Sequence, residues 1–245
     1  MPRLHSQALD HQPSDAPAPH RHPQGQLLWV SSGLLTVLTE DSRWTLPPGF
    51  LAWMPPQALH GAQYLTPTRG LNFYVDEAWA TAGFPAQWKV LLSTPLLKSL
   101  LQALHDEAHC RAHEAYQAVL ADLVCQAPAQ PLCIPMPADP RLRPLCEHLL
   151  AHPDDATDLD HWAQRLHMSR RTLSRRFQGE TGMGFAQWRQ QVRLTLALER
   201  LVAGAPVTTV ALDMGYESPS AFITRFKQRM GLPPRAWLAR ASSGG

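Results

Sequence analysis

Two hydrophobic periods divide this chain. From Gln26 to Val75, short runs such as "QLLWV", "GLLTVL" and "FLAWM" are broken by "SSG", "EDSR" and "PPG" at roughly regular intervals. Runs of Val, Leu, Trp and Thr between turn formers predict the strands of a small antiparallel barrel or sandwich. From about Ala86 the apolar spacing changes to three and four, in "WKVLLSTPLLKSLLQALHDEAH" and "HEAYQAVLADLVCQA". That spacing predicts amphipathic helices. Leu97, Leu100, Leu101 and Leu104 form one stripe, and Tyr116, Val119, Leu120 and Leu123 another. One stripe is expected to cover the barrel and the other to pair with a second subunit.

The expected fold class is α+β, multidomain. Residues 1–19, rich in Pro, His, Ala and Asp, predict a disordered arm. Residues 20–85 predict the barrel and 86–127 the connecting helices. The proline-broken segment "PAQPLCIPMPA", 128–138, predicts a linker. Residues 139–240 predict an all-α domain, and 241–245 a loose tail.

Composition narrows the compartment. No window is long and apolar enough to span a bilayer, and the N-terminus lacks the basic-then-apolar order of a secretion signal. The expected location is the cytoplasm, with no membrane partner. The widely spaced Cys110, Cys125, Cys133 and Cys146 are then expected as reduced thiols. The net charge of +2 hides an asymmetry: 13 Lys plus Arg against 4 Asp plus Glu from His161 onward, and 9 against 16 before it. Such a split assigns the C-terminal part to a polyanion.

The basic half contains a repeated pattern. In "DLDHWAQRLHMSRRTLSRRF", a first helix from about Leu159 to Leu166 precedes a short turn, and Ser169 is a good cap for a second helix. There Leu173 and Phe177 face a core, while Arg170, Arg171, Ser174 and Arg175 share another face, with Arg176 nearer the apolar side. Two short helices with Arg and Ser outward on the second make a helix-turn-helix suited to the major groove. "LSRRFQGETGM" at 173–183 then matches "FITRFKQRMGL" at 222–232. Upstream, "TVALDMGYESPS" supplies another first helix, a turn through Gly215 and a cap at Ser218. "FAQWRQQVRLTLALERLVAG" reads as one helix joining the units. A rod of that kind sets two reading helices about one DNA turn apart, near 34 Å.

Residues from about Asp139 to Arg240 closely resemble the C-terminal DNA-binding domain of the AraC/XylS family of bacterial transcriptional regulators. The resemblance rests on Ala163, Ser169, Leu173, Phe177, "ETG" at 180–182, Arg193, Leu201 and above all "ALDMGYESPSAFITRFKQRMGLPPRAW". It implies a non-enzymatic regulator with two helix-turn-helix units on adjacent major grooves of promoter DNA. Carried over, it offers Arg171, Ser174 and Arg175 to bases from the first unit. From the second it offers Pro219, Ser220, Ile223 and Thr224. Pro219 and Ile223 make only apolar contacts, so the second unit is poorer in polar readout. Ser169, Arg170, Ser218, Arg225, Lys227 and Arg229 are expected on the DNA backbone. The resemblance also implies a homodimer, RNA polymerase as a partner, and a leaning towards activation.

The acidic half carries a second resemblance. His20-x-His22-x3-Gln26-x6-Gly33 and Gly49-x5-Pro55-x-Gln57-x2-His60 are similar to the two motifs of cupin barrels. The resemblance implies a cupin-like sensor for a small molecule or ion, with His20, His22, Gln26 and His60 at the positions where metal-binding cupins place ligands. Imidazoles suit several divalent metals. Here Gln26 replaces a carboxylate, Gln57 a glycine and Tyr64 an asparagine, so a divalent metal in the barrel is the one cofactor the resemblance leaves open and none is certain. His105, His109 and His113 share a helix face beside Cys110, but "HDEAH" misplaces the Glu of a zincin, and a polar helix face is the expected reading. Beside an effector-sensing regulator stand a metal-responsive version using His20, His22 and His60, a cupin-type metalloenzyme with a fused helical domain, and a nucleoid-type binder without sequence preference.

Overall fold

A computed structural model describes residues 3–13, 15, 17–106 and 113–243. The chain divides into two units, Met1–Thr39 with Thr45–Pro131 and Leu238–Gly245, and Glu40–Trp44 with Leu132–Trp237.

The first unit is built on β1 (Leu4–His11), β2 (Gly25–Ser32), β3 (Leu35–Leu38), the end of β4 (Ser42–Leu46), β5 (Phe50–Met54), β6 (Gly61–Tyr64), β7 (Thr68–Val75) and β8 (Lys89–Leu92). With them go α1 (Glu77–Gly83), α2 (Pro95–Asp106) and α3 (His113–Gln126). One sheet has the order β1-β7-β2-β5-β8, all antiparallel; β6, β3 and β4 are neighbours in the other. Because side chains alternate across a strand, the larger sheet has two jobs. Leu27, Trp29, Leu51, Trp53 and Phe73 point to a core completed by Leu97, Leu101 and Leu104 of α2 and Leu120 and Val124 of α3. The intervening Gln26, Leu28, Met54 and Asn72 line an internal cavity together with Val37 and Ala62 of the smaller sheet.

Three boundaries differ from the sequence reading. Residues 4–11 are an eight-residue strand paired with β7, not a disordered arm. An edge strand with one wet face needs few apolar residues, and Leu4 and Leu9 are the buried ones. "KVLL" is strand β8 at the far edge, not helix. The apolar stripes of α2 and α3 both enter the same core, leaving Leu96 and Val119 as the large exposed apolar residues on those helices.

The second unit contains β9 (Cys133–Pro135), α4 (Arg143–Ala151), α5 (Leu159–Arg165), α6 (Arg170–Thr181), α7 (Phe185–Val202), α8 (Val207–Asp213), α9 (Pro219–Met230) and the start of α10 (Pro234–Ser243). Leu145, Leu149, Trp162, Leu173, Phe177, Trp188 and Val192 form its core around the first helix pair. The expected linker is therefore partly ordered as strand. Cys133–Pro135 pairs with Ser42–Trp44, Ile134 is fully buried, and Pro135 O accepts from Trp188 Nε1 at 2.6 Å. In the same unit Arg43 Nη2 donates to both carboxylate oxygens of Glu199 on α7, at 2.9 and 3.1 Å.

Candidate nucleic-acid interface and effector pocket

The two helix pairs, α5–α6 and α8–α9, have one backbone plan. Each first helix ends in a three-residue turn with equivalent hydrogen bonds. Leu166 N, His167 N and Met168 N donate to Trp162, Gln164 and Ala163 carbonyls. Met214 N, Gly215 N and Tyr216 N donate to Val210, Leu212 and Ala211 carbonyls. The central residue of each turn is left-handed, His167 at φ 52° and Gly215 at φ 71°. The second helices then start on serine caps, Ser169 accepting from Thr172 N and Ser218 from Ala221 N. Both are 12 residues long and end on left-handed glycines, Gly182 and Gly231. Leu173 and Phe177 occupy the same places as the fully buried or nearly so Phe222 and Phe226. The second turn is one residue longer, through Glu217.

Their outer faces differ. On α6, Arg170 is paired with Asp160 at 2.6 Å and Arg176 with Asp139 at 3.2 Å. Among the described residues Arg171 and Arg175 make no ion pair or side-chain hydrogen bond, so these two expected base readers are the free guanidiniums of the helix. Ser174 is exposed beside them. On α9, Ser220 and Lys227 are exposed, Thr224 Oγ1 donates back to Ser220 O at 2.9 Å, and Ile223 is 36% exposed. Arg225 and Arg229 are tied to Gln228 and Gln191, at 3.3 and 3.1 Å, along a cleft beside α7.

Two supports escaped residue-by-residue assignment in the sequence. Arg193, 8% exposed, donates from Nε to Pro153 O at 2.7 Å and lies over the Tyr216 ring. Glu180 accepts from Ala138 N and Asp139 N, at 2.9 and 3.1 Å. Their signal was membership in the family pattern; the roles needed coordinates.

In the first unit, His20, His22 and His60 converge. His20 and His60 exchange backbone hydrogen bonds as an isolated bridge, and Gln57 N donates to His22 O. Gln57 sits at φ 62°, a left-handed site where the motif it resembles has glycine. The potential ligand atoms of the three imidazoles lie within 4.8 Å of one another. Each Nδ1 faces a backbone carbonyl: Ala18 O for His20 at 3.1 Å, Gln24 O for His22 at 2.8 Å and Ala58 O for His60 at 2.9 Å. A carbonyl only accepts, so each Nδ1 carries a proton, which in the neutral ring leaves the lone pair on Nε2. Burial, followed by the charges of His20 and His22, lowers the His60 pKa against the opposing Ala58 hydrogen bond.

Gln26 joins this cluster, its Oε1 3.0 Å from His22 Nε2. Behind it runs a polar chain. Gln26 Nε2 donates to Asn72 Oδ1 at 2.7 Å, and Asn72 Nδ2 to the Tyr74 hydroxyl at 2.9 Å. Gln7 of β1 also donates to Tyr74, at 3.3 Å. The cavity beside the chain measures about 120 Å³. His11 and Tyr64, stacked with centroids 4.4 Å apart, line it as well. Burial, with the charge of Asp15, raises the Tyr64 pKa to about 12, so this phenol stays protonated. Period-two alternation in β7 was the available signal for Asn72 and Tyr74; its phase was not readable without the pairing. Of the separate His105, His109 and His113 pattern, His105 accepts or shares a proton with Ser6 Oγ at 3.0 Å. His109, Cys110 and the His113 side chain lie outside the described residues.

Comparison with known proteins gives two family matches: "AraC-like ligand binding domain" over residues 8–127 and "Helix-turn-helix domain" over 162–240. The HTH-type transcriptional regulator NimR of Escherichia coli (strain K12) is 34% identical over 228 residues, 91% of this chain and 83% of the relative. The HTH-type transcriptional regulator RipA of Corynebacterium glutamicum is 26% identical over 85% of this chain, which spans 60% of that relative. A crystal structure of the AdpA DNA-binding domain with a target DNA is 32% identical over 42% of this chain and 94% of that one, with a TM-score of 0.39.

Proposed function

The chain belongs to the AraC family of transcriptional regulators, and from that premise we propose a sequence-specific regulator that senses a small effector. Its two helix-turn-helix units enter adjacent major grooves of promoter DNA. The observation that carries this reading is the repeated backbone plan of α5–α6 and α8–α9. The 18-residue α7 between them adds a rod of about 27 Å. That length is close to one turn of DNA. Arg171, Ser174, Arg175, Ser220 and Thr224 read bases, and Ile223 offers an apolar contact such as a thymine methyl. Ser169, Arg170, Ser218, Arg225, Lys227 and Arg229 hold phosphates. Arg170 first releases its half-exposed partner Asp160, at a cost of about 1 kcal/mol or less.

The effector site of this reading is the cavity beside Gln26, Asn72 and Tyr74. The protein acts in the cytoplasm as a homodimer that engages RNA polymerase, and its role is regulatory rather than enzymatic, as for NimR and RipA. Among the described residues no helix is long and apolar enough to cross a membrane. Capture of sheared genomic DNA by the purified protein at near-physiological salt tests the reading. A few sharp sites are expected. Broad retention that vanishes with added salt would replace it with non-specific binding.

A second reading, a metal-responsive regulator, is favoured by the convergence of His20, His22 and His60 within 4.8 Å. Neutral imidazoles with Nδ1 bound to carbonyls are the form that ligates divalent metals through Nε2. Elemental analysis of tag-free protein after metal supplementation should give close to one ion per chain; a clearly substoichiometric value rejects this version and leaves the first.

A further inference from the structure

We infer that the three-histidine cluster, loaded with a divalent metal, is the anchor of a small carboxylate, which occupies the adjoining cavity and binds only when the metal is present. The inference rests on the metal-responsive reading and names its effector class.

The first argument is charge. Three imidazoles ligating through a bare Nε2 bring no charge to the ion, and the fourth neighbour is an amide, Gln26. Among the described residues no carboxylate belongs to the ligand cluster. A divalent ion there keeps its full charge between exposed His20 and half-buried His22 on one side and buried His60 and Gln26, 5% and 6% exposed, on the other. On its inner side, towards His60 and the cavity, that charge lacks a counter-ion, and an anion there is favoured. With the Gln26 amide oxygen beside the three imidazoles, a position for the acid stays open on an ion that takes five or six ligands.

The second argument is the hydrogen-bond direction. With its proton on Nδ1, His22 presents a lone pair to Gln26 Oε1, another acceptor, at 3.0 Å. A cation shared between them satisfies both. It also fixes the amide so that Gln26 Nε2 donates to Asn72 and Asn72 Nδ2 to Tyr74. Tyr74, receiving from Asn72 and from Gln7, keeps its own proton to donate. The polar chain thus ends in an O–H on the cavity wall, a partner for a carboxylate oxygen not bound to the metal.

The third argument is shape. The cavity of about 120 Å³ has the room of about four liquid waters. The same wall carries apolar residues, Leu28, Val37, Met54 and Ala62. A charged head at the metal and a short hydrocarbon body against these residues fit it, which selects acids of about four to six heavy atoms. On binding, a carboxylate oxygen displaces a water from the open metal position, and no covalent bond within the acid changes.

The test uses the full chain without a tag, stripped with EDTA and reloaded with Co²⁺, whose visible spectrum reports its ligands. Acetate, propionate and benzoate are then titrated. The expected result is a Co²⁺ band that shifts saturably with acetate and propionate but not with benzoate, and no acid binding by calorimetry in EDTA. Tyr74→Phe should keep the band and weaken acetate at least about fivefold. Gln26→Glu, which supplies the missing negative charge, should keep or strengthen the band and weaken acetate at least about tenfold. Absence of any Co²⁺ band in the wild-type chain removes the metal reading and this inference together. A band that no acid shifts, or acid binding equally strong without metal, overturns this inference alone. Unchanged acetate affinity in Tyr74→Phe overturns it too, even if Gln26→Glu fails to fold.

Discussion

The two helix-turn-helix units share a skeleton and differ in surface. Serine caps, left-handed C-terminal glycines and a buried pair four residues apart recur in both. Yet α6 presents the free Arg171 and Arg175 where α9 presents Ser220 and Thr224, the latter with its proton turned back on the helix, and Ile223 stands where α6 has Ser174. A few positions therefore set the backbone, and the outward positions between them are free to take different tasks. Unit one has the chemistry to discriminate guanine edges; unit two has apolar contact and phosphate anchoring. The turns differ in the same way. Gly215 has no room for a side chain: a Cβ there would lie 2.8 Å from Asp154 Cα and 2.9 Å from Arg193 Nη2. His167, at the matching position, is exposed.

The strongest way to break the comparison is through the shared skeleton. Phe177→Ala and Phe226→Ala should each cost about 3–5 kcal/mol, since both rings are almost fully buried. Urea unfolding of the two variants measures this, with DNA retention alongside. If the units are equivalent halves of one frame, losses should be similar and either variant should lose specific binding. A large cost in one and a negligible cost in the other would deny the equivalence. Gly215→Ala should cost about 2 kcal/mol, from the left-handed backbone and the Asp154 contact together. An unchanged midpoint would show that the turn yields freely.

The same contrast explains what was legible in advance. The helix pairs were readable because caps, glycines and Phe pairs are local signals: Ser169, Ser218, Gly231 and the 49-residue offset all lie on the surface of the sequence. The arm was misread because β1 gains its order from β7, some 60 residues away, and its composition carries no trace of that partner. "KVLL" was ambiguous between helix and strand for the same reason: a run that short takes its form from its neighbour, here β5. In the pocket, His20, His22, Gln26 and His60 were visible as spaced polar residues. Asn72, Tyr74 and Gln7 were not, because only strand register places them beside Gln26. The left-handed His167 was not legible, since histidine adopts that conformation more readily than most residues but still only occasionally.

A sharper test concerns readout. Arg175→Ala should weaken the specific site by about 1–3 kcal/mol and relax one base position. Ile223→Ala should cost about 1 kcal/mol or less, since it removes only part of an apolar contact. Competition binding against single-base variants of the captured site measures both. Equal loss for Arg175→Ala on specific and random DNA would reassign that arginine to phosphate. An Ile223→Ala cost matching that of Arg175→Ala would mean that unit two specifies as strongly as unit one.

The smallest effect should come with the opposite sign from its counterpart. At His167 the left-handed backbone carries a steric cost of about 1–2 kcal/mol, which glycine removes. Glycine also loses about 0.5–1 kcal/mol more chain entropy on folding. The exposed imidazole makes no side-chain hydrogen bond among the described residues, so little else is lost. His167→Gly should therefore stabilise the chain by about 0.5–1 kcal/mol, a rise in melting midpoint of about 1–4 °C. Gly215→Ala lowers stability at the equivalent turn, so the two substitutions form a matched pair on one backbone conformation. If His167→Gly destabilises instead, the imidazole contributes something that the shared turn geometry does not require. The two turns would then be alike in φ angle and different in what holds them.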